Sequence, residues 1–137
     1  MDSTDEQILK ALRQNARTPY MEIAKTIGAS EGTIRSRVGR MVAEGTIKAF
    51  TVKIAAGNIK ALIDVKIGMN VNTSNIASQI MKIKGVDFAY EVSGEEDIVV
   101  VADVMSTLEL NSLVEEMRGL ENVISTKTRL IMREHWR

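Results

Sequence analysis

Residues 28–45 read Gly-Ala-Ser-Glu-Gly-Thr-Ile-Arg-Ser-Arg-Val-Gly-Arg-Met-Val-Ala-Glu-Gly. Ser30 offers a side-chain oxygen suited to capping a helix N-terminus, and Gly45 is the kind of residue at which a helix stops. Between them Ile34, Val38 and Met41 recur at helical spacing, so the stretch predicts an amphipathic helix with one apolar stripe. Its other side carries Gly32, Thr33, Ser36 and Arg40, flanked by Arg35 and Arg37. That side is small in the middle and cationic at its edges. Short side chains let a backbone approach base edges, hydroxyls bond in either sense, and arginines reach guanine or phosphate. A solvated surface helix can have the same composition, so the neighbouring elements must decide between the two readings.

The preceding residues favour the DNA reading. Thr18 as N-cap and Pro19 in the first turn predict a helix with Ile23, Ala24 and Ile27 inward, and Gly28-Ala29-Ser30 then turns the chain into the arginine-bearing helix. Two short helices joined by such a turn make a helix-turn-helix unit. Ahead of them Ser3 and Glu6 have the spacing of a capping box, and Ile8, Leu9 and Leu12 extend a buried stripe to about Asn15. Three helices can enclose a small core. The candidate DNA contacts are Ser30, Gly32, Thr33, Arg35, Ser36, Arg37 and Arg40.

Composition sets the outer limits. A chain of 137 residues with 45% hydrophobic content suits one ordinary domain or two small ones, and its formal net charge is zero. Up to Val52 there are eight Lys/Arg against six Asp/Glu, and beyond it ten against twelve. Phosphate attraction must therefore come from local placement of Arg35, Arg37 and Arg40 rather than from bulk charge. With no cysteine, disulfides, thiolate metal sites and a cysteine nucleophile are excluded. No apolar run reaches the roughly 18 to 20 residues of a membrane span. The acidic start Met1-Asp2-Ser3-Thr4-Asp5-Glu6 is unlike a signal peptide, so a cytoplasmic location is expected.

After Gly45 the period changes. Ile47 to Ile54 alternates as a strand does, with Phe50, Val52 and Ile54 on one side, and Ala56-Gly57-Asn58 breaks it. An isolated strand is unstable in water, and a second copy of the chain is the simplest partner. From Ala61 the sequence falls into two similar halves. Ala61–Val71 alternates with Ile63, Val65, Ile67 and Met69 on one side. Ser74 then caps a helix burying Ile76, Ala77, Ile80 and Ile83 that ends at Gly85, and Val86–Val92 is a strand. The second half repeats this. Ile98–Val104 is a strand, Ser106 and Glu109 form a capping box, Leu110, Leu113, Val114 and Met117 line a helix ending at Gly119, and Val123–Met132 is a strand. Two βαβ units in series predict a ferredoxin-like βαββαβ domain. Both helices then cover one sheet face, and Val99 and Val101 make the other partly apolar, which points to self-association.

The fold expected is α+β: a three-helix helix-turn-helix domain over 1–46, a connecting strand and hinge over 47–60, and a βαββαβ assembly and effector domain over 61–137. Five motifs in order carry a resemblance over essentially the whole length. They are Asp5-x-x-Ile8-Leu9, Ile23-Ala24-x-x-Ile27-Gly28-x-Ser30, Ile34-Arg35-x-Arg37-Val38-x-Arg40-Met41, Glu44-Gly45-x-Ile47 and Gly94-x-x-Asp97. In these the chain resembles the Lrp/AsnC (leucine-responsive, or feast/famine) transcription regulators. The resemblance implies a first domain that binds double-stranded DNA, and a second that assembles homodimers, tetramers or octamers and in many members senses an amino acid. It also implies an effector cleft lined by the Ser93–Asp97 turn and the last strand of a neighbouring subunit. There Glu95 and Asp97 would accept an ammonium group, Arg129 would pair with a carboxylate, and Gly94 would leave backbone N–H groups approachable. Two positions depart from the family's pattern: Glu96, where many relatives carry an aromatic, and Glu31, where proline is common.

An enzyme is not expected, and no cofactor or metal is assigned. No phosphate loop, HExxH or Ser/His/Asp-like set appears, and the single histidine, His135, lies beside Trp136 near the end. One alternative is a tetrapyrrole (siroheme-type) decarboxylase of the same architecture, for which Arg129 is the available carboxylate partner. The other is an assembly module that does not bind DNA.

Overall fold

The computed structural model describes residues 1–55 and 58–137, which fall into two compact units, Met1–Ile54 and Ala55–Arg137. In the first unit, α1 (Ser3–Gln14), α2 (Tyr20–Ile27) and α3 (Glu31–Ala43) enclose Ile8, Leu12, Ile23, Ala24, Ile34, Val38 and Met41. These are the stripes the periodicity marks. Burying them against one another is what holds three short helices that would be marginal alone.

Ser30 caps α3 as expected, its Oγ accepting from the Thr33 N–H at 3.1 Å. Gly28 and Gly45 take positive φ, +81° and +78°, which glycine tolerates without a Cβ clash. Two caps differ from expectation. The box at the start of α1 is Asp2 with Asp5, not Ser3 with Glu6: the Asp5 N–H donates to Asp2 Oδ1 at 2.9 Å, and the Asp2 N–H donates to Asp5 Oδ2 at 3.2 Å. Both pairs have the same spacing, and the tertiary partners of Asp5 described below select the acidic one. At α2 the N-cap is Pro19, and the Thr18 hydroxyl donates to the Asn15 carbonyl at 2.7 Å, closing the connection from α1 instead of capping.

Within the single chain residues 47–54 form no strand. Phe50, Val52 and Ile54 are 53%, 76% and 63% exposed. A strand exists only through ladder bonds to a neighbour, and within one chain this alternating segment has none. Of the expected break at Ala56-Gly57-Asn58, Ala56 and Gly57 lie outside the described residues.

The second unit runs β1 (Ile59–Ile67), α4 (Thr73–Ile80), β2 (Val86–Glu91), β3 (Ile98–Val104), α5 (Thr107–Arg118) and β4 (Val123–Leu130). The four strands form one antiparallel sheet in the order β2-β3-β1-β4, the ferredoxin-like arrangement. Ile63, Val65, Ile98, Val100 and Ala102 meet Ile76, Ile80, Leu113 and Met117 in its core. β1 ends four residues before Val71. Gly68 donates to the Asn122 carbonyl, Asn70 turns at φ +58°, and Met69 is 90% exposed rather than inward. Asn72, not Ser74, caps α4, while the Ser74 hydroxyl donates to the Glu91 carboxylate. β4 stops at Leu130, short of Met132.

The sheet face away from the helices is apolar in its middle. Direct pairing puts Leu62 opposite Val101 and Val99 opposite Tyr90, with Phe88 opposite Val101. Phe88 and Tyr90, each 54% exposed, stack with ring centroids 6.4 Å apart. Arg129 borders this patch, paired with Asp64 at 3.2 Å.

Candidate nucleic-acid interface

On α3 the apolar stripe is spent on the core, which leaves Gly32, Arg35, Ser36, Gly39 and Arg40 exposed. A Cβ added at Gly39 meets nothing within 4 Å, and at Gly32 only the Ser30 Oγ at 3.9 Å. The glycines thus keep this side of the helix low rather than fill a packing need. Thr33 is partly buried, and its hydroxyl shares a 2.9 Å hydrogen bond with that of Ser30, so both serve the cap as well as the surface.

The three arginines are held in different ways. Arg35 pairs with Glu31 one turn back at 2.7 Å, and its guanidinium carbon lies 5.3 Å from the centre of the Tyr20 ring. The aromatic face orders a cation that stays exposed. Arg37 Nη1 donates to Asp2 Oδ2 at 2.7 Å and to Asp5 Oδ1 at 3.1 Å. Arg40 Nη2 donates to both oxygens of Asp5, at 2.9 and 2.8 Å. Asp5 is itself 1% exposed. The Arg40 guanidinium, helped by Arg37, holds the Asp5 carboxyl well below the usual carboxylate range despite its burial. Arg37 does the same for Asp2, and the carboxylates in turn raise both arginines. Sequence reasoning placed Arg37 and Arg40 beside the other candidates but missed Asp2, Asp5 and Tyr20. The two acidic residues read as helix-start composition, and no local pattern says that the start of α1 lies against the flank of α3.

In the second unit the turn before β3 is pinned to β1. Asp97 Oδ2 accepts from the Ile67 N–H at 2.9 Å, the Asp97 N–H donates to the Val65 carbonyl at 3.0 Å, and Lys66 Nζ donates to the Glu95 carbonyl at 2.6 Å. Gly94, at φ +111°, has open space around it. The structure therefore brings Gly94, Glu95 and Asp97 together. It does not join Arg129 to them within one chain: Arg129 sits opposite Leu62 on β1, and its guanidinium pairs with Asp64 at 3.2 Å. One Asp97 oxygen is committed to the backbone, which leaves Oδ1 for any ligand. Glu96 lies 3.9 Å from Lys127. Among the described residues no cluster of His, Cys, Asp or Glu could hold a metal ion, and no helix is long and apolar enough to cross a membrane.

Two family models match the chain: an AsnC-type helix-turn-helix domain over residues 1–42 and an Lrp/AsnC ligand binding domain over residues 60–137. Among curated proteins the chain is similar to the HTH-type transcriptional regulator LysM of Sulfurisphaera tokodaii, 37% identical over 134 residues that cover 97% of this chain and 96% of that one. Among solved structures it is similar to MtbAldR, with a TM-score of 0.89 at 27% identity, covering 100% of this chain and 95% of that one. The fold is shared with the feast or famine regulatory protein from M. tuberculosis complexed with L-methionine, TM-score 0.83 at 24% identity over 99% and 95% of the two chains.

Proposed function

The chain belongs to the Lrp/AsnC family of transcriptional regulators, and from that premise we propose that it is a cytoplasmic, sequence-specific DNA-binding regulator whose α3 enters the major groove. The observation that carries the reading is the exposed side of α3, where Gly32, Ser36 and Gly39 leave a low surface bordered by Arg35, itself steadied on Tyr20. Residues 1–46 form the DNA-binding part, 47–60 the connector and 61–137 the assembly and effector part. The apolar sheet face around Leu62, Val99, Val101, Phe88 and Tyr90 supports a homodimer. The alternating, exposed Phe50, Val52 and Ile54 support strand pairing between copies. Two such dimers would form the tetramer and four the octamer.

The effector is a free amino acid, a reading supported by the matched ligand-binding family model and by the L-methionine complex of a structural neighbour. Gly94, Glu95 and Asp97 from one subunit and Arg129 from another would supply its contacts. A tetrapyrrole decarboxylase has less support, since the matched family models and the curated relative are those of transcriptional regulators. The direct test is Ser36→Glu, which places a carboxylate at the centre of the exposed side without touching the core. Retardation of a bound DNA fragment should be lost while the circular dichroism spectrum is kept. Unchanged retardation would move the DNA surface elsewhere.

A further inference from the structure

Resting on the reading of α3 as the DNA-docking helix, we infer that Asp5 is a positioning residue for DNA binding: it anchors Arg37 and Arg40 at the edge of α3 and turns Arg40 toward the phosphate backbone rather than base edges. The argument begins with bond capacity. A carboxylate offers about four acceptor directions, and Asp5 fills them with the Asp2 N–H at 3.2 Å, Arg37 Nη1 at 3.1 Å, and Arg40 Nη2 at 2.9 and 2.8 Å. Asp5 is 1% exposed, at the start of the helix that buries Ile8 and Leu12, so the anchor does not move with solvent.

Next comes what the arginines have left. To read guanine an arginine presents two parallel N–H groups to O6 and N7. Either fork of a guanidinium, side-on with Nε or end-on with Nη1, uses Nη2 as its second nitrogen. In Arg40 that nitrogen faces both Asp5 oxygens, so a base-reading fork would have to share Nη2 with the carboxylate. Its Nη1 is 3.8 Å from Glu44, an ion-pair distance beyond hydrogen-bond reach, and the side chain is 44% exposed. The Nε and Nη1 donors of Arg40 then suit a phosphate oxygen, which needs no fork. Arg37, 29% exposed, is anchored through its other terminal nitrogen, Nη1 donating to both Asp2 and Asp5, so the carboxylates fix its position without engaging its Nε–Nη2 edge. Base discrimination then falls to the rest of the exposed side, Arg35 and Ser36 first.

Charge alone makes the opposite prediction, which gives the idea its test. Neutralising a carboxylate near a polyanion should tighten binding, whereas loss of a positioning group should weaken it. Binding of the full-length protein to a selected genomic fragment and to a random duplex of equal length is measured by fluorescence anisotropy over a salt series. The proteins are wild type, Asp5→Asn, Arg40→Gln and the double variant. Wild-type binding to neither duplex would overturn the DNA reading and this inference with it. Given wild-type binding, Arg40→Gln should weaken both duplexes by the same factor and reduce the salt slope by about 1. Asp5→Asn should also weaken both, and Arg40→Gln should then cost little more in its background. Tighter binding by Asp5→Asn, an equal cost of Arg40→Gln in both backgrounds, or a loss confined to the selected fragment would overturn the inference while leaving DNA binding intact. Thermal melts check that Asp5→Asn folds. If it does not, Asp2→Asn loosens Arg37 from its exposed side, and weaker binding to both duplexes supports the proposal where equal or tighter binding contradicts it.

Discussion

Arg40 of α3 and Asp5 of α1 meet through a single nitrogen, Arg40 Nη2 lying 2.9 and 2.8 Å from the two oxygens of a carboxylate that is 1% exposed. The contact ties the first helix to the docking helix and divides the three arginines of α3 into two classes, two that are anchored and one, Arg35, that rests on an aromatic ring.

That division predicts different phenotypes. Arg35→Ala should cost about 1 to 3 kcal/mol on the preferred site and much less on random duplex, relaxing selectivity at the base it reads. Tyr20→Leu should reproduce part of the loss by freeing the guanidinium. Competition binding against both duplexes checks it, and equal losses on the two would assign Arg35 to phosphate instead.

Acid stability follows from the same contact. In the unfolded chain Asp2 and Asp5 titrate at the ordinary value of 3.8, and in the folded chain both lie lower, with Arg37 and Arg40 the leading causes. A depressed carboxylate contributes stability that is fully present above the unfolded value and is lost as pH falls toward the folded one. Asp2 is half exposed and contributes the smaller share. In urea unfolding from about pH 5 to about pH 2, wild type should therefore lose stability more steeply than Asp5→Asn, and the two curves should draw together toward the acid end.

How much was legible in the sequence depended on whether a signal was local. Ser30 and Ser106 were found because a cap and its N–H lie three residues apart, and β1 and β3 were found from the alternation of Ile63, Val65, Ile98 and Val100. Asp2 was missed in favour of Ser3 because overlapping capping patterns differ only in tertiary partners. The 47–54 segment read as a strand because its alternation is real, but ladder bonds require a neighbour that one chain does not contain. The roles of Arg37 and Arg40 were hidden for the same reason: a helical wheel shows which side a residue occupies, not which helix stands beside it.

Gly85 gives a check on the second unit. At φ +94° an added Cβ would stand 2.8 Å from Val104 Cγ1 and 3.0 Å from Leu113 Cδ1, both in the core. Gly85→Ala should destabilise this unit by roughly 1 to 3 kcal/mol, combining backbone strain with overpacking. Chemical denaturation followed by a probe in residues 61–137 measures it.

Assembly is tested on the open sheet face. Tyr90→Asp alters a half-exposed side chain away from the core and should convert a dimer into a folded monomer in light scattering at micromolar concentration. A wild-type monomer under the same conditions would contradict the dimer.

For the effector, a screen of the twenty amino acids should find at least one that raises the melting temperature, because a ligand that binds only the folded assembly stabilises it by mass action. Asp97→Asn should reduce that shift while leaving ligand-free DNA binding unchanged. A flat screen in melting temperature, oligomer size and DNA affinity would remove the amino-acid reading.

The central claim is that paired copies of α3 read DNA, and selection of bound fragments from genomic DNA by the purified protein tests it most directly. The account predicts enrichment of a two-fold-related motif whose half-sites lie about 34 to 36 Å apart or a multiple of that, with the enrichment lost for Ser36→Glu. Recovery of fragments without a shared motif, or the same motif recovered by Ser36→Glu, would contradict it.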